Sequence, residues 1–352
     1  MPQTQREFLL VDLLKSVSRS FYLTLRILPA KVREPIGLAY LLARTADSIA
    51  DTPVLAPEQR IGMLAGLGRQ ISAPDSPIAM APIEVSEQVF SDSKERVLLA
   101  HIPQMLALLR AQNLADKTRI QHVVANLCSG MQFDLTYFPD ERAGRLAALP
   151  DMPALDHYTW QVAGCVGEFW TDLTHAHLRA LRHWPLADMS RLGIAFGRAL
   201  QMTNVLRDCA ADLRIGRCYL PQDLLHAHGL TPVQLLDAAT SPRARPLLFE
   251  LVQHALAQYA DAARYLLAIP RRCVRLRLAC LWPILIGLET LLALVQNPAW
   301  LDPAQVSKIN RQAIYRLVRG SLLIVAANGA ITRRVDDLTA QIRSAMQSVK
   351  TG

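Results

Sequence analysis

Two pairs of aspartates carry the clearest chemical signal in this chain. Asp47 and Asp51 lie in ARTADSIADT, and Asp208 and Asp212 lie in NVLRDCAADLRIGRCYLP. Each pair has i, i+4 spacing, so a helix would place both carboxylates on one face, about 5–6 Å apart between β-carbons. Mg²⁺ takes one or two protein carboxylates and completes its shell with water and substrate phosphates. The two pairs together predict a site that binds diphosphate.

Arginines beside both pairs strengthen this interpretation. One DxxxD pair alone is a weak signal, because surface aspartates often reach this spacing on a solvated helix face. Arg44 precedes the first pair by one turn, and Arg207 and Arg217 flank the second. The planar guanidinium group matches phosphate oxygens and stays charged when partly buried. We therefore expect a polyanionic substrate.

Composition predicts the fold class. The chain has 352 residues, of which 51% are hydrophobic and only 6% aromatic, and no stretch alternates in the way that predicts strands. The sequence therefore predicts an all-α protein, and no domain boundary stands out. A mean hydropathy of +0.17 indicates an apolar cavity, a membrane-facing surface, or both.

Charge and cysteine usage limit the partners and the compartment. The formal net charge of +8 comes mainly from arginine and fits phosphate ligands or anionic lipid. Nucleic acid is disfavoured, because no recognised binding motif is present. The six cysteines lack metal or disulfide spacing, and no signal peptide is recognisable. We expect a cytoplasmic protein, and peripheral contact with the cytoplasmic membrane face stays open.

The pattern of apolar residues places the aspartate pairs near helix ends. The helices that bear on the site are predicted at 6–27, 34–51, 155–180 and 186–213. A bundle that brings the ends together would have a polar, metal-lined mouth above an apolar interior. The apolar stretch 278–295 contains Glu289 and Pro283, which favours a buried helix over a membrane span. The last helix, 331–349, has the polar character of a solvated tail.

Further short motifs surround the two pairs. They comprise SRSFY at 18–22, Tyr40, Tyr158 with VAGCVG at 162–167, Gln201, Asn204 and GR at 216–217. In this order, over residues 16–221, they resemble the motifs of the squalene and phytoene synthase family, which are head-to-head trans-prenyltransferases. The resemblance implies a single-domain, all-α isoprenoid-synthase-type bundle around a central apolar cavity. Its core would cover about 6–328 and its polar helical tail 329–352.

The resemblance also implies roles for individual residues. Mg²⁺, or Mn²⁺ in its place, would be bound by Asp47, Asp51, Asp208 and Asp212. The substrate diphosphates would be bound by Ser18, Arg19, Ser20, Arg44, Gln201, Asn204, Arg207 and Arg217. The substrate cavity would be lined by Phe21, Tyr40, Val162, Val166 and Gly167. Tyr158 resembles a tyrosine implicated in proton removal.

Other interpretations of these residues stay open. Gly164 and Gly167 equally suit close helix packing, and Tyr158 equally suits a core position with its hydroxyl hydrogen-bonded. Ala211 stands where the family often has an acid before the last aspartate, which should weaken support for the pair without removing a ligand.

Motifs in the C-terminal third of the chain bear on which product is formed. CLWP at 280–283 and the segment 306–316 resemble reductive squalene synthases, in which Lys308, Arg311 and Arg316 would contact NADPH phosphates. We therefore expect a squalene synthase that condenses two farnesyl diphosphates to presqualene diphosphate and reduces this to squalene with NADPH. The alternatives are phytoene, dehydrosqualene or presqualene diphosphate synthesis without reduction. A non-enzymatic assembly factor or lipid-binding protein is a further alternative, and substrate chain length and oligomeric state are open.

Overall fold

The computed structural model of the protein describes residues 3–18, 21–75, 89–139, 141 and 143–350. Of the predicted site residues, Arg19 and Ser20 lie outside the described residues. The chain forms two compact units: unit 1 comprises Met1–Tyr137 and Phe169–Arg179, and unit 2 comprises Phe138–Glu168 and Ala180–Gly352. The expectation of a single domain stays a prediction.

Unit 1 is built from the N-terminal helices. They are α1 (Gln3–Glu7), α2 (Leu14–Val17), α3 (Phe21–Ile27), α4 (Ala30–Ala50), α5 (Pro57–Ser72), α6 (Ser93–Ala100), α7 (Ile102–Arg110) and α8 (Leu114–Tyr137), with a π-helical turn at Phe8–Leu13 between α1 and α2. The predicted continuous helix over 6–27 is wrong at one point. Ser18 ends α2, because its hydroxyl donates a hydrogen bond back to the Leu14 carbonyl and its backbone leaves the helical region.

Unit 2 contains most of the remaining helices. They are α9 (Met152–Thr159), α10 (Cys165–His177, whose last nine residues belong to unit 1), α11 (Leu186–Arg214), α12 (Gln222–Ala227), α13 (Ser241–Ala268), α14 (Val274–Gln296), α15 (Arg311–Ile324) and α16 (Asn328–Lys350), with a π-helical turn at Trp160–Gly164. Among the described residues the only strands are β1 (Ala147–Ala148) and β2 (Arg217–Cys218), which pair in parallel. The all-α prediction is confirmed.

Helix α4 organises the core of unit 1. Pro29 precedes its first turn, and Pro53 follows shortly after its end, which explains both limits. Leu38, Leu41 and Leu42 are fully buried, and α4 packs against α5 and α8. Burial of this face leaves the opposite face of α4 for polar side chains.

Helices α11, α13 and α14 form the core of unit 2. A buried hydrogen bond of 2.8 Å joins the Thr203 and Tyr259 hydroxyls between α11 and α13. The Tyr259 hydroxyl occupies the space beside Gly287 of α14, where a Cβ would lie only 1.7 Å away. A glycine at 287 is therefore required for the three helices to approach this closely.

The last helices of unit 2 differ in part from the predictions. Helix α14 is long and apolar enough to cross a membrane by length and composition, and 72% of its apolar window is buried inside the protein. The predicted solvated tail, by contrast, is wrong for one face of α16. Ile331, Leu338 and Ile342 are buried there, and α16 packs against α13 and α14. Its i, i+7, i+11 spacing is an amphipathic signal that the overall polarity of the segment concealed.

Candidate active site

Helix α4 presents four predicted site residues on one face. At about 100° per residue, Tyr40, Arg44, Asp47 and Asp51 fall within about 60° of one another. The Asp47 side chain is 40% exposed. Asp51 is exposed at the C-terminal cap, where its backbone N–H donates to the Asp47 carbonyl over 2.9 Å. The helix end therefore presents both carboxylates to solvent, with an arginine and a tyrosine behind them.

Arg44 is held in place by two carboxylates. One guanidinium nitrogen pairs with Asp47, and the other donates to Glu95 Oε1 of α6 over 3.1 Å. Partial burial acts to lower the pKa of Arg44, but Asp47 and Glu95 together outweigh it and raise that pKa. Arg44 is thus a fixed, permanent cation beside the first aspartate pair.

A buried arginine supports the end of α4 from the next helix. Arg60 of α5 is only 2% exposed and donates to the Ala50 carbonyl over 2.9 Å. That carbonyl belongs to the last turn of α4, whose carbonyls have no partner within the helix. Because Ala50 directly precedes Asp51, Arg60 fixes the backbone that carries the second carboxylate.

The SRSFY segment contributes two described site residues to unit 1. Phe21 of α3 stacks on Tyr40 of α4, with ring centroids 5.5 Å apart and planes inclined by 22°. The structure therefore brings together two of the predicted cavity residues. Ser18 is 2% exposed and uses its hydroxyl to end α2, so its predicted contact with diphosphate stays a prediction.

Helix α11 presents the second aspartate pair on a polar face. Gln201, Asn204, Asp208 and Asp212 fall within about 80° around the helix axis. Gln201 accepts a hydrogen bond of 3.3 Å from Asn204, and the Asp208 side chain is 38% exposed. The apolar residues on the other side of α11 are buried in the core of unit 2.

Arg207 binds the first carboxylate of this pair. Its Nε donates to Asp208 Oδ1 over 2.8 Å and its Nη2 to Asp208 Oδ2, which makes the pair bidentate. The hydrogen bond to Asp208 is the largest cause of a raised Arg207 pKa, and Asp212 adds to it. Like Arg44, Arg207 is a fixed cation next to a carboxylate.

The chain turns sharply after α11 to present Arg217. Gly216 has φ +86, a left-handed conformation that favours glycine, and a Cβ there would lie 2.7 Å from the Arg145 carbonyl. Arg217 then enters β2 and pairs with Glu141, with a distance of 3.5 Å between Nη2 and Oε1. The β1–β2 pairing fixes the backbone on both sides of this turn.

Tyr158 lies in a group of buried aromatic rings. It is 5% exposed and stacks on Tyr219, with centroids 4.7 Å apart, and Phe138 meets Tyr219 edge to face at 5.1 Å. The stack fixes the orientation of the Tyr158 ring. Its predicted part in proton removal stays a prediction.

The VAGCVG motif packs against the backbone of α11. A Cβ at Gly167 would lie 1.9 Å from the Gly193 carbonyl oxygen, and a Cβ at Gly164 would crowd Trp160. Close packing therefore accounts for the glycines. Val162 lies in the π-helical turn, and Val166 is 37% exposed. The assignment of Val162, Val166 and Gly167 to the substrate cavity stays a prediction.

The three predicted NADPH contacts lie near the start of α15. Lys308 is exposed in the segment before the helix, and Arg311 and Arg316 are exposed on it. Arg316 lines a cavity of about 460 Å³ in unit 2, together with Leu285, Ile309 and the ion pair between Arg334 and Glu289. The lining of this cavity combines basic groups with apolar side chains.

The donor atoms around both aspartate pairs fit Mg²⁺. Each pair offers carboxylate oxygens at solvent-exposed positions, which are the ligands this ion prefers. Within the described part of the chain, no three His, Cys, Asp or Glu side chains are arranged to hold a metal ion by themselves. A pair of carboxylates leaves coordination positions for water and for substrate phosphate.

Several supporting residues escaped the sequence interpretation. Glu95 lies 51 residues from Arg44, and Glu141 lies 76 residues before Arg217, so no local spacing connects them. Arg60 and Tyr219 sit inside ordinary helical or extended patterns. Tyr219 alone carried a signal, because it follows the GR motif in GRCYLP.

Comparison with known proteins gives consistent matches. The family model described as squalene/phytoene synthase matches residues 14–312. The presqualene diphosphate synthase of Rhodopseudomonas palustris is 30% identical over 263 residues, which cover 74% of this chain and 78% of that protein. The squalene synthase of Yarrowia lipolytica is 26% identical over 259 residues, which cover 72% of this chain and 54% of that protein.

A solved structure confirms the fold. A ligand complex of TcSQS is similar to this chain with a TM-score of 0.74 and 20% sequence identity, and the match covers 98% of this chain and 99% of that chain. The predicted isoprenoid-synthase-type helical fold is therefore confirmed.

Proposed function

Because the chain belongs to the squalene/phytoene synthase family, we propose that it is a Mg²⁺-dependent farnesyl-diphosphate farnesyltransferase of the squalene synthase type. It condenses two farnesyl diphosphates head to head to presqualene diphosphate. It then reduces this intermediate to squalene with NADPH.

One observation carries the proposal. Helices α4 and α11 each present an aspartate pair that is at least partly exposed and whose first member is bound by an arginine, Asp47 by Arg44 and Asp208 by Arg207. Two such pairs suit a reaction with two diphosphate substrates. A lipid-binding protein of the same fold has no need of this arrangement.

The arginines supply the electrostatic part of the reaction. When the allylic carbon–oxygen bond breaks, its electron pair leaves with the diphosphate and a carbocation stays on the farnesyl chain. Arg44 beside the first aspartate pair, and Arg207 and Arg217 beside the second, are fixed cations that can each bind a diphosphate group at their own pair without reorganising. Asp47 and Asp51 would hold Mg²⁺ at one pair and Asp208 and Asp212 at the other, where the ion would supply Lewis-acid neutralisation of a leaving diphosphate.

Aromatic side chains can stabilise the cation and receive its proton. Phe21 and Tyr40 form an aromatic wall, and aromatic faces tolerate a nearby positive charge. Closure of the cyclopropane ring of presqualene diphosphate releases one proton from the farnesyl carbon. Tyr158, whose ring is fixed by Tyr219, holds a hydroxyl that accepts this proton and gives its own to the released diphosphate.

The reductive step is assigned to the basic region around the start of α15. Lys308, Arg311 and Arg316 bind the NADPH phosphates, and the apolar residues beside Arg316 offer a dry surface for the nicotinamide. NADPH held there would supply a hydride to the carbocation that forms when presqualene diphosphate ionises.

A second candidate is a presqualene diphosphate synthase without reductase activity. The relative from Rhodopseudomonas palustris, at 30% identity, carries this name. This candidate uses the same aspartate pairs and needs no NADPH, so the two proposals differ only in the role of the α15 region.

The test is to incubate the purified chain with farnesyl diphosphate and identify the extracted products by mass spectrometry, with Mg²⁺ and NADPH each present or omitted. Squalene only with both additions is expected. Presqualene diphosphate or dehydrosqualene regardless of NADPH would remove the reductive step and keep the condensation. No product from farnesyl or geranylgeranyl diphosphate would contradict the proposal.

A further inference from the structure

The region around α15 carries a concentrated positive charge. Between residues 303 and 335 there is no Asp or Glu, whereas Lys308, Arg311, Arg316, Arg319, Arg333 and Arg334 all lie there. Arg334 is paired with Glu289 of α14 over 2.7 Å. The other five extend the positive charge along α15 and its flanks.

The same helix exposes large apolar side chains. Leu323 is 88% exposed, the highest value among the large apolar side chains of the described residues. Tyr315 and Leu322 are 58% and 55% exposed. A folded protein gains nothing from apolar groups held in water, so a cluster on one helix marks an interaction surface.

The basic and apolar side chains alternate around one side of the helix. At about 100° per residue, the order around the axis is Arg311, Leu322, Tyr315, Arg319, Leu323 and Arg316, within about 140°. The opposite side, which includes buried Ser321, packs against α14. An outward face of leucine, tyrosine and arginine on a helix packed along its other side suits a membrane interface.

We infer that this face of α15 docks the chain on an anionic lipid membrane. Leu322, Leu323 and Tyr315 enter the boundary between headgroups and acyl chains, and Arg319, which lies between them around the helix axis, binds lipid phosphate. This inference is independent of the proposed activity, because Leu322, Leu323, Tyr315 and Arg319 have no part in binding farnesyl diphosphate or NADPH.

Other occupants fit this face less well. A second copy of the chain would place arginines against arginines, since the helix has no acidic residue to pair with them. Nucleic acid would satisfy the arginines but would leave Leu322 and Leu323 in water. An anionic membrane satisfies both kinds of side chain at once.

The experiment is sedimentation of the full chain with lipid vesicles, made of phosphatidylcholine alone or mixed with phosphatidylglycerol. We expect binding to the mixed vesicles that weakens as salt is added. The Leu322→Ser/Leu323→Ser variant should lower the ratio of bound to free protein by about tenfold or more, and Arg319→Glu by about fivefold or more.

Two control variants separate this surface from general effects. Leu114→Ser removes a leucine that is 75% exposed in unit 1, and Arg272→Glu reverses an exposed arginine elsewhere in unit 2. Both should bind vesicles like the wild type. Circular dichroism and the melting temperature check that each variant is folded.

Three results would overturn the inference. The first is unchanged vesicle binding by Leu322→Ser/Leu323→Ser. The second is equal binding to vesicles with and without phosphatidylglycerol. The third is a wild-type chain that binds no vesicles but forms dimers that this double variant abolishes, because α15 would then be an interface between copies.

Discussion

The first aspartate pair ends its helix, whereas the second lies within a helix that continues beyond it. Asp51 caps α4, while α11 runs on past Asp212 to Arg214. The first pair is supported from other helices, by Arg60 of α5 and by Glu95 of α6 through Arg44. The second pair is supported by its own helix and by its neighbour in sequence, Arg207.

This difference means that the same chemistry depends on tertiary packing at one pair and on local structure at the other. Within a helix, backbone hydrogen bonds fix the segment that carries the carboxylates. A helix end has unpartnered carbonyls and frays unless another group binds them. Substitutions of Arg60 or Glu95, which lie far from the first pair in sequence, should therefore affect that pair.

The largest expected effect comes from removing one carboxylate of either pair. Asp47→Asn and Asp208→Asn should each lower the rate of condensation by about a thousandfold or more, because each removes a charged ligand from the leaving-group site. The controls are Asp12→Asn in unit 1 and Asp188→Asn on α11, both exposed. Product formation with farnesyl diphosphate measures the effect. Normal turnover in either Asp47→Asn or Asp208→Asn would contradict the prediction that both pairs are needed for condensation.

Removing Arg60 should weaken the helix end that carries the first aspartate pair. Arg60→Met leaves the Ala50 carbonyl buried without its donor, so we expect a loss of about 2 kcal/mol in the free energy of unfolding. Activity should fall at the same time, because the backbone before Asp51 loosens. Urea unfolding measures the first effect, and Arg69→Met, an exposed arginine on the same helix, is the control. A fully stable and active Arg60→Met variant would show that α4 needs no such support.

The corresponding test for α11 is the turn after its end. Gly216→Ala forces a side chain into a left-handed conformation and toward the Arg145 carbonyl, at an expected cost of about 1–2 kcal/mol. Gly68→Ala, inside α5 and with open space around it, should instead stabilise the protein by about 0.5–1 kcal/mol. Thermal unfolding of both variants checks the opposite signs. Equal shifts in melting temperature would refute the strained-turn explanation.

A smaller effect on the rate of condensation should distinguish Arg44 from Arg207. Glu95→Gln removes one of the two carboxylates that hold Arg44, so we expect condensation to slow by about threefold to tenfold. Arg207 is bound by Asp208 of its own helix, and this pair should be unchanged. The KM for farnesyl diphosphate, measured alongside kcat, reports the change in substrate binding. A Glu95→Gln enzyme with wild-type kinetics would mean that Asp47 alone positions Arg44.

The smallest expected effect is on the pH dependence of stability in unit 1. Asp116 of α8 is buried, which by itself raises its pKa. Hydrogen bonds from His177 at 2.7 Å and Asn113, with the charge of Arg119, outweigh this and hold its pKa below the ordinary value of 3.8. A lowered folded pKa stabilises the fold above about pH 4, and this contribution is lost as pH falls through the folded pKa.

Helix α8 packs against α4, so acid should weaken the helix of the first pair. Urea unfolding of wild type and Asp116→Asn at about pH 6 and about pH 3 measures this. The stability difference between them should shrink at the lower pH. A stability difference between wild type and Asp116→Asn that does not change with pH would contradict the stabilising role of the Asp116 carboxylate.

The sequence predicted what depends on local chemistry. Spacing placed each aspartate pair on one helix face, and the predicted helix ends at 51 and 213 lie within one residue of the observed ends of α4 and α11. These signals are local because helix periodicity, proline and glycine act within one turn of the chain.

What the sequence did not predict depends on contacts distant in the chain or on small backbone changes. Glu95 and Arg60 matter only because α5 and α6 pack beside α4. The π-helical turn before α10 adds one residue to a turn without a distinctive residue type. The burial of α16 was missed because its apolar residues are widely spaced among polar ones. Local sequence patterns do not predict which other helix a given helix face will pack against.

The most direct test of the central claim is metal binding at the two pairs. Electron paramagnetic resonance of Mn²⁺ with inorganic diphosphate can compare the wild type with Asp47→Asn/Asp51→Asn and with Asp208→Asn/Asp212→Asn. The account predicts that each double variant binds fewer Mn²⁺ ions than the wild type. Wild-type Mn²⁺ binding in both double variants would contradict the assignment of the aspartate pairs as metal and diphosphate sites.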